Sequence, residues 1–271
     1  LDHDARFARA LQGRPVVLGY YFSSDRNGHT SGVLPAPVLR PDDMQGHTLR
    51  ATQWNGYGAN IAPLAAAAPH AGFFNALPDP DGVVRSLPLL AEHGGQYYES
   101  LSLAMFRLLL GSPRVEPGFA DARWLSSAHQ PLESVRLVQG ASALPIAVDE
   151  RLAVRVPCRG PGGPQGGSFP YVSAADVVAG RLAPGRLQGK IVLVGTTVPG
   201  LLDLRVTPVG EAYPGVETHA NLIAAFLDGQ QLIRPDYALG YELVMLLLSG
   251  VVLALGLPLL SAVRAVALSL G

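Results

Sequence analysis

The sequence predicts an α/β fold in which a layered, mixed and partly parallel sheet is flanked by helices and followed by a transmembrane helix. Two patterns carry the first part. Short continuous apolar runs such as Val16–Phe22 (VVLGYYF) and Ile191–Val194 read as strands buried on both faces. Between such runs lie segments whose apolar residues recur at helical spacing. A third pattern carries the membrane helix: no charge stands between Glu242 and Arg264. About 20 such residues, at about 1.5 Å each, match the roughly 30 Å hydrocarbon core of a bilayer.

Val16–Phe22 is the first predicted strand. Thr30–Gly58 is rich in Pro, Gly and polar residues and predicts a long surface excursion. Gly72–Leu77 and Val83–Leu90 flank Asp79-Pro80-Asp81-Gly82, which predicts a hairpin whose turn Asn75 caps or bonds. Leu101, Ala104, Met105 and Leu108 recur at helical spacing, with Ser100 as N-cap and Gly111 as stop. Residues 112–143 show no decisive period. Leu152–Val156 predicts a strand, and Gly160–Gly167 (GPGGPQGG) a flexible loop. Ser173-Ala-Ala-Asp176 matches the capping pattern and opens a short helix ending by Gly180. Ile191–Val194 follows as a buried strand. Val216, Ala220, Ile223 and Leu227 then form an apolar stripe on a helix running from Pro214 to Gly229.

Three regions result: an extracytoplasmic domain over 1–236, a transmembrane helix over 239–263, and the start of a second over 265–271. Leu246, Leu247, Leu248, Val251, Val252 and Leu255 leave no polar stripe for water, and exposing the whole run would cost on the order of 15 kcal/mol. Tyr237 and Tyr241 suit an interface at its start, and Arg264 leans toward the cytoplasm. The chain opens at Leu1 without a signal segment and stops at Gly271 inside an apolar run, so it is expected to be incomplete at both ends.

A net charge of -1 with 15% charged residues provides no basic face for nucleic acid and no polybasic run for anionic lipid. Cys158 is the one cysteine, so no disulfide forms within the chain. The seven histidines show no metal-ligand spacing, and no G-x-S-x-G elbow is present. No catalytic residue, metal site or cofactor is expected.

The candidate ligand-binding residues cluster late in the chain. Thr196 and Thr197 lie in the loop Gly195–Gly200 after the strand Ile191–Val194, where open α/β sheets place ligands. No Lys follows Gly200, so this is not a phosphate loop, and a structural turn is the other interpretation. Asp203, Arg205, Glu217, His219 and Asn221 share one loop–helix unit that could line a polar pocket at a helix N-terminus. The alternative is an Asp203–Arg205 loop contact with His219 bonded at the edge of the core. Asp79-Pro80-Asp81-Gly82 looks like the opening of a calcium loop but lacks its later ligands.

An ordered series of segments comprises Val16–Phe22, Gly72–Asn75, Asp79–Arg85 with Leu87–Leu90, Tyr98–Leu101, Tyr171–Asp176, Gly189–Thr197, Leu202–Arg205, Thr207-Pro208 and Pro214–Asn221. Over most of residues 1–234 this series resembles the type-two CHASE domain, a cyclase- and histidine-kinase-associated sensory extracellular module. The resemblance implies a periplasmic sensory domain of a bacterial inner-membrane receptor, followed by transmembrane helices. It further implies a cytoplasmic output outside this segment, an adenylate/guanylate cyclase or a histidine or serine/threonine kinase, the segment itself being no enzyme. Such domains usually begin earlier, with an N-terminal anchor and an opening strand–helix–strand section. The expected partners are a small-molecule or protein signal, the lipid bilayer and a second copy in a homodimer, with no nucleic acid. A membrane-tethered protein-binding or structural module without output is the alternative.

Overall fold

The computed structural model describes residues 2–44, 46, 47, 49, 51–119, 132–197, 203–233 and 238–256. It divides into one unit spanning Leu1–Leu232 and a second spanning Ile233–Gly271. In chain order the first unit opens with α1 (His3–Leu11), β1 (Val17–Ser23), β2 (Thr30–Ser31), a 3-10 turn at Pro41–Met44, β3 (Gly56–Gly58), α2 (Ala62–Ala67) and β4 (His70–Phe73). It continues with β5 (Ser86–Pro88), β6 (Leu90–His93), β7 (Gln96–Glu99), α3 (Leu101–Leu109), β8 (Arg114–Phe119), β9 (Leu132–Gln139), β10 (Ser142–Ala147) and β11 (Ala153–Arg155). It closes with α4 (Ala174–Val178), β12 (Leu204–Thr207), β13 (Gly210–Pro214) and α5 (Gly215–Leu227).

β1 is an inner strand of a mixed sheet ordered β2-β3-β1-β4. It runs parallel to β4, from Val17↔His70 to Tyr20↔Phe73, and antiparallel to β3. The parallel pair needs a crossover, and α2 lies within it. Tyr20 and Phe22 point into a core with Phe73, Ala91 and Tyr98, while Gly19 and Tyr21 are exposed. The continuous apolar run therefore alternates, and the expected burial on both faces is corrected to burial on one. The open face is covered by its own aromatics. The Tyr21 ring lies where a Cβ at Gly58 would come within 2.4 Å, and the Phe74 ring 3.1 Å from one at Gly19.

The remaining strands form separate small sheets: antiparallel β10-β9-β8, and the pairs β11-β5, β12-β13 and β6-β7. The architecture is thus mixed α/β with several sheets, where the sequence predicts a single layered one. The larger core joins Leu87, Leu89 and Leu90 to Leu103 of α3, Val135 of β9 and Leu222 of α5.

The Asp79–Gly82 turn forms, with Gly82 N–H donating to the Asp79 carbonyl at 2.8 Å and Gly82 at φ +81°. Its flanks do not pair with each other: β4 pairs with β1 and β5 with β11. The expected hairpin is therefore absent, each flank pairing instead with a strand distant in the chain. Asn75 also acts elsewhere than expected. Its side chain accepts from Phe22 N–H and donates to the Phe22 carbonyl, both at 2.8 Å, extending the β1–β4 ladder by a side-chain amide.

The expected α3 is present with Ser100 Oγ accepting from Leu103 N–H at 3.4 Å and Gly111 at φ +80° as stop. α4 forms as predicted, but Ser173 makes no side-chain cap bond. Ile191–Val194 forms no strand, and Ile191, Val192 and Val194 are exposed. An apolar β-prone run needs a partner ladder, and none reaches it among the described residues.

The second unit carries α6 (Ala238–Gly256), 19 residues of strongly apolar sequence with Leu246, Leu247 and Leu255 exposed. Among the described residues no helix is long and apolar enough to cross a membrane. The end of the expected 239–263 span and the segment 265–271 lie outside the described residues.

Candidate functional site

α5 buries the face that its apolar stripe does not mark. Pro214 precedes it at φ -62°, a preset entry angle, and Gly229 follows its end at φ +65°. Ile223 of the stripe is buried, but Leu227 is exposed. The first two turns instead bury Glu217, Thr218, His219 and Asn221, all at or below 3% exposure. Only then does the helix become apolar, with Leu222, Ala225 and Phe226 packed inside. Four buried polar side chains on one short stretch would be costly unless bonded.

Each is bonded. Thr218 Oγ1 donates to the Gly215 carbonyl at 2.6 Å. Asn221 donates from Nδ2 to the Tyr213 hydroxyl at 2.7 Å and to the Glu217 carbonyl at 2.8 Å. Its Oδ1 accepts from Arg159 N–H at 3.0 Å, tying α5 to the start of the glycine-rich loop. Glu217 Oε2 accepts from Gly163 N–H and from the Tyr171 hydroxyl, both at 2.7 Å. Its Oε1 is buried without a partner. The loop can approach this closely because residue 162 is glycine: a Cβ there would lie 2.6 Å from the Tyr213 ring and 3.0 Å from Glu217 Oε2. The segment read as flexible is thus pinned at Gly163, and at Ser168, whose hydroxyl donates to the Arg159 carbonyl at 2.9 Å.

His219 joins α5 to α3 and to the end of β4. Its Nε2 lies 3.4 Å from the Phe74 carbonyl, which can only accept, so this nitrogen carries the proton. The neutral ring then accepts at Nδ1 from the Ser102 hydroxyl, 2.8 Å away. Burial pushes the imidazole down to about 4, with nearby Arg205 acting in the same direction and the Phe74 carbonyl against both. His219 is therefore neutral at physiological pH.

Burial also pushes the Tyr213 phenol up to about 12 and raises those of Tyr171 and the Cys158 thiol. None of these groups is an activated nucleophile. Asp203, half-buried, has its carboxyl raised by burial and lowered by Arg205. Its carbonyl accepts from Gly215 N–H at 2.7 Å, and a Cβ at Gly215 would sit 2.3 Å from its Oδ1. Among the described residues Asp203 and Arg205 form no ion pair.

The structure thus gathers Asp203, Arg205, His219 and Asn221 around the first turns of α5. Thr196 is exposed and Thr197 half-buried, and neither joins the hydrogen-bond network. Gly195 touches it, since a Cβ there would meet Val216 at 2.6 Å. Ser102, Tyr171 and Tyr213 are members that sequence reasoning missed. Ser102 had a signal: a hydroxyl set among apolar residues at the start of α3.

Two clefts open elsewhere. One, about 270 Å³, lies beside the Asp79–Gly82 turn with Asp149 and Arg151 on its wall. The other, about 540 Å³, lies at the carboxyl end of β1 among Ser24, Arg26, Gln53, Trp54 and Glu92. None of the six candidate residues lines either.

The family model described as the CHASE2 domain matches residues 1–257. No curated protein and no solved structure matches the chain.

Proposed function

The chain belongs to the CHASE2 family, whose members are extracellular sensory domains rather than catalytic ones, and from that membership we propose that it is the sensory part of a bacterial inner-membrane receptor. The family match over residues 1–257 carries this proposal. In it, residues 1–236 stand outside the cytoplasm and a transmembrane helix runs through 239–263. Residues 239–256 of α6 supply 18 residues of it, roughly 27 Å at about 1.5 Å per residue and short of the roughly 30 Å hydrocarbon core. An output domain, an adenylate/guanylate cyclase or a histidine or serine/threonine kinase, lies on the cytoplasmic side.

The network on α5 supports a mechanism. A signal would favour one of two arrangements of the domain, or of a homodimer of it, by binding them unequally. Hydrogen bonds such as Ser102–His219 and Glu217–Gly163 are either made or broken, which suits a two-state element better than a graded contact. α5 is the last helix before the membrane segment in the chain, so a shift at its start would pass to the span through the residues after it.

The test is to read the coding region on either side of this segment. Further spans followed by a cyclase or kinase domain support the receptor. A stop codon soon after the second apolar segment refutes it and leaves a membrane-tethered binding or structural module.

A further inference from the structure

The cleft at the carboxyl end of β1 is separate from the α5 network. Its volume of about 540 Å³ falls in the ~300–1,000 Å³ range of small-molecule sites. It also lies where a strand with a parallel neighbour ends, a common ligand position in α/β folds.

Its walls are bonded to one another. Asn55 accepts from Asp25 N–H at 3.2 Å and donates to the Asp25 carbonyl at 2.5 Å, clamping the turn after β1 to the segment before β3. Trp54 N–H donates to the Glu92 carbonyl at 3.0 Å, and Gln53 Nε2 donates to Glu92 Oε2 at 2.7 Å. Asp25 also lines the cleft and is exposed, its carboxylate accepting from Asn27 N–H at 2.9 Å and lying 3.1 Å from His29 Nδ1.

What these bonds leave over is specific. Arg26 lines the cleft, exposed and, among the described residues, without a hydrogen-bond or ion-pair partner. Glu92 and Gln53 line it too, and their Oε1 atoms are two acceptors that the Gln53–Glu92 bond does not use. No ion pair joins Arg26 to Glu92, although both line the same cleft. A cation and an anion that line one cleft without pairing can each take the complementary end of one molecule. A bare anion would meet Glu92, and a bare cation would meet Arg26.

We propose that this cleft binds a small zwitterion of the α-amino-acid class, its carboxylate on Arg26 and its ammonium on Glu92 and Gln53. The guanidinium fork matches a carboxylate in two parallel bonds, and the paired acceptors match an ammonium that has donors only. The site supplies a signal class to the sensory proposal and rests on it for its meaning in the cell; binding itself does not depend on it.

The test uses the full chain, 15N-labelled and held in detergent. The indole N–H of Trp54, assigned with Trp54→Phe, reports occupancy. Common L-amino acids are titrated to ~10 mM, well above the ~1 mM dissociation constant of a weak site. Propionate and L-alaninamide serve as single-charge controls and glucose as a neutral one. At least one amino acid should give a saturable shift that the three controls do not. Arg26→Ala and Glu92→Gln should each weaken it about tenfold or more, the loss of one charge-assisted contact. Arg26 is exposed, so its variant folds even if Glu92→Gln does not. No saturable shift with any amino acid overturns the proposal, as do controls that bind equally well or variants that bind unchanged. Binding without any effect on receptor output would sink the sensory role and leave the site standing. A receptor that responds while the cleft stays empty would do the reverse.

Discussion

His219→Asn should flatten part of the protein's acid sensitivity. In the folded chain the ring is neutral between Ser102 and the Phe74 carbonyl, held down to about 4 from an ordinary 6.5. The unfolded chain therefore binds more protons than the folded one between those values, and stability falls as pH drops through that window. Above pH 6.5 this contribution is fully present; below about 4 the loss is complete. A displacement of that size is worth up to ~3 kcal/mol, of which ~2 kcal/mol is lost between pH 7 and pH 5. Asparagine keeps an acceptor for the Ser102 hydroxyl, cannot titrate, and gives up the longer bond to Phe74, so at pH 7 the variant should be less stable by ~1–2 kcal/mol. The carboxyls of buried Glu99 and half-buried Asp203 are raised by burial and act in the opposite sense. They are common to both proteins and cancel in the comparison. Urea unfolding at the two pH values gives the difference directly. The difference between the proteins should move by about 2 kcal/mol in the variant's favour from pH 7 to pH 5, closing the gap or reversing it. A gap that stays constant would mean that His219 is not buried neutral, and the network built on it would be wrong.

Glu217→Ala removes the acceptor for Gly163 and Tyr171; it should destabilise the fold by ~2–4 kcal/mol and open residues 160–167 to limited proteolysis ahead of global unfolding. Asn75→Asp keeps the bond from Phe22 N–H but sets a carboxylate against the Phe22 carbonyl; thermal unfolding should show it less stable than Asn75→Ala, which itself costs ~1–3 kcal/mol. Gly72→Ala places a Cβ 2.5 Å from the Leu101 backbone, so β4 and α3 must separate; a cost of ~1–3 kcal/mol or more is expected in denaturant melts.

The elements legible in the sequence are those whose signal is local. Ser100 and Gly111 bracket α3, Pro214 and Gly229 bracket α5, and Asp79–Gly82 turns, because each rests on the backbone preference of a few residues. Pairing was not legible. The flanks of the Asp79–Gly82 turn promise a hairpin by proximity, yet Ser86–Pro88 pairs with Ala153–Arg155 far along the chain. Periodicity also misled at α5, whose apolar stripe suggests one buried face while Glu217, His219 and Asn221 mark another. A buried polar face reads as a solvent face unless its partners are known, and Ser102 lies 117 residues from His219. Asp203, Arg205, His219 and Asn221 could be grouped from sequence because they are near one another in it. The β1 cleft was not found, because Arg26, Gln53 and Glu92 come from three separate segments.

The placement of this domain outside the cytoplasm is tested most directly by thiol labelling in intact cells. Cys158 is the only cysteine of residues 1–271, so Cys158→Ser, with any cysteine of the flanking segments replaced likewise, gives a blank background, and Glu211→Cys puts one thiol on an exposed position of β13. The full-length protein is expressed in a bacterial inner membrane with the outer membrane made permeable, and a membrane-impermeant maleimide is added. Labelling of Glu211→Cys before lysis is the predicted result. Labelling only after the inner membrane is broken would place the domain in the cytoplasm and contradict the account.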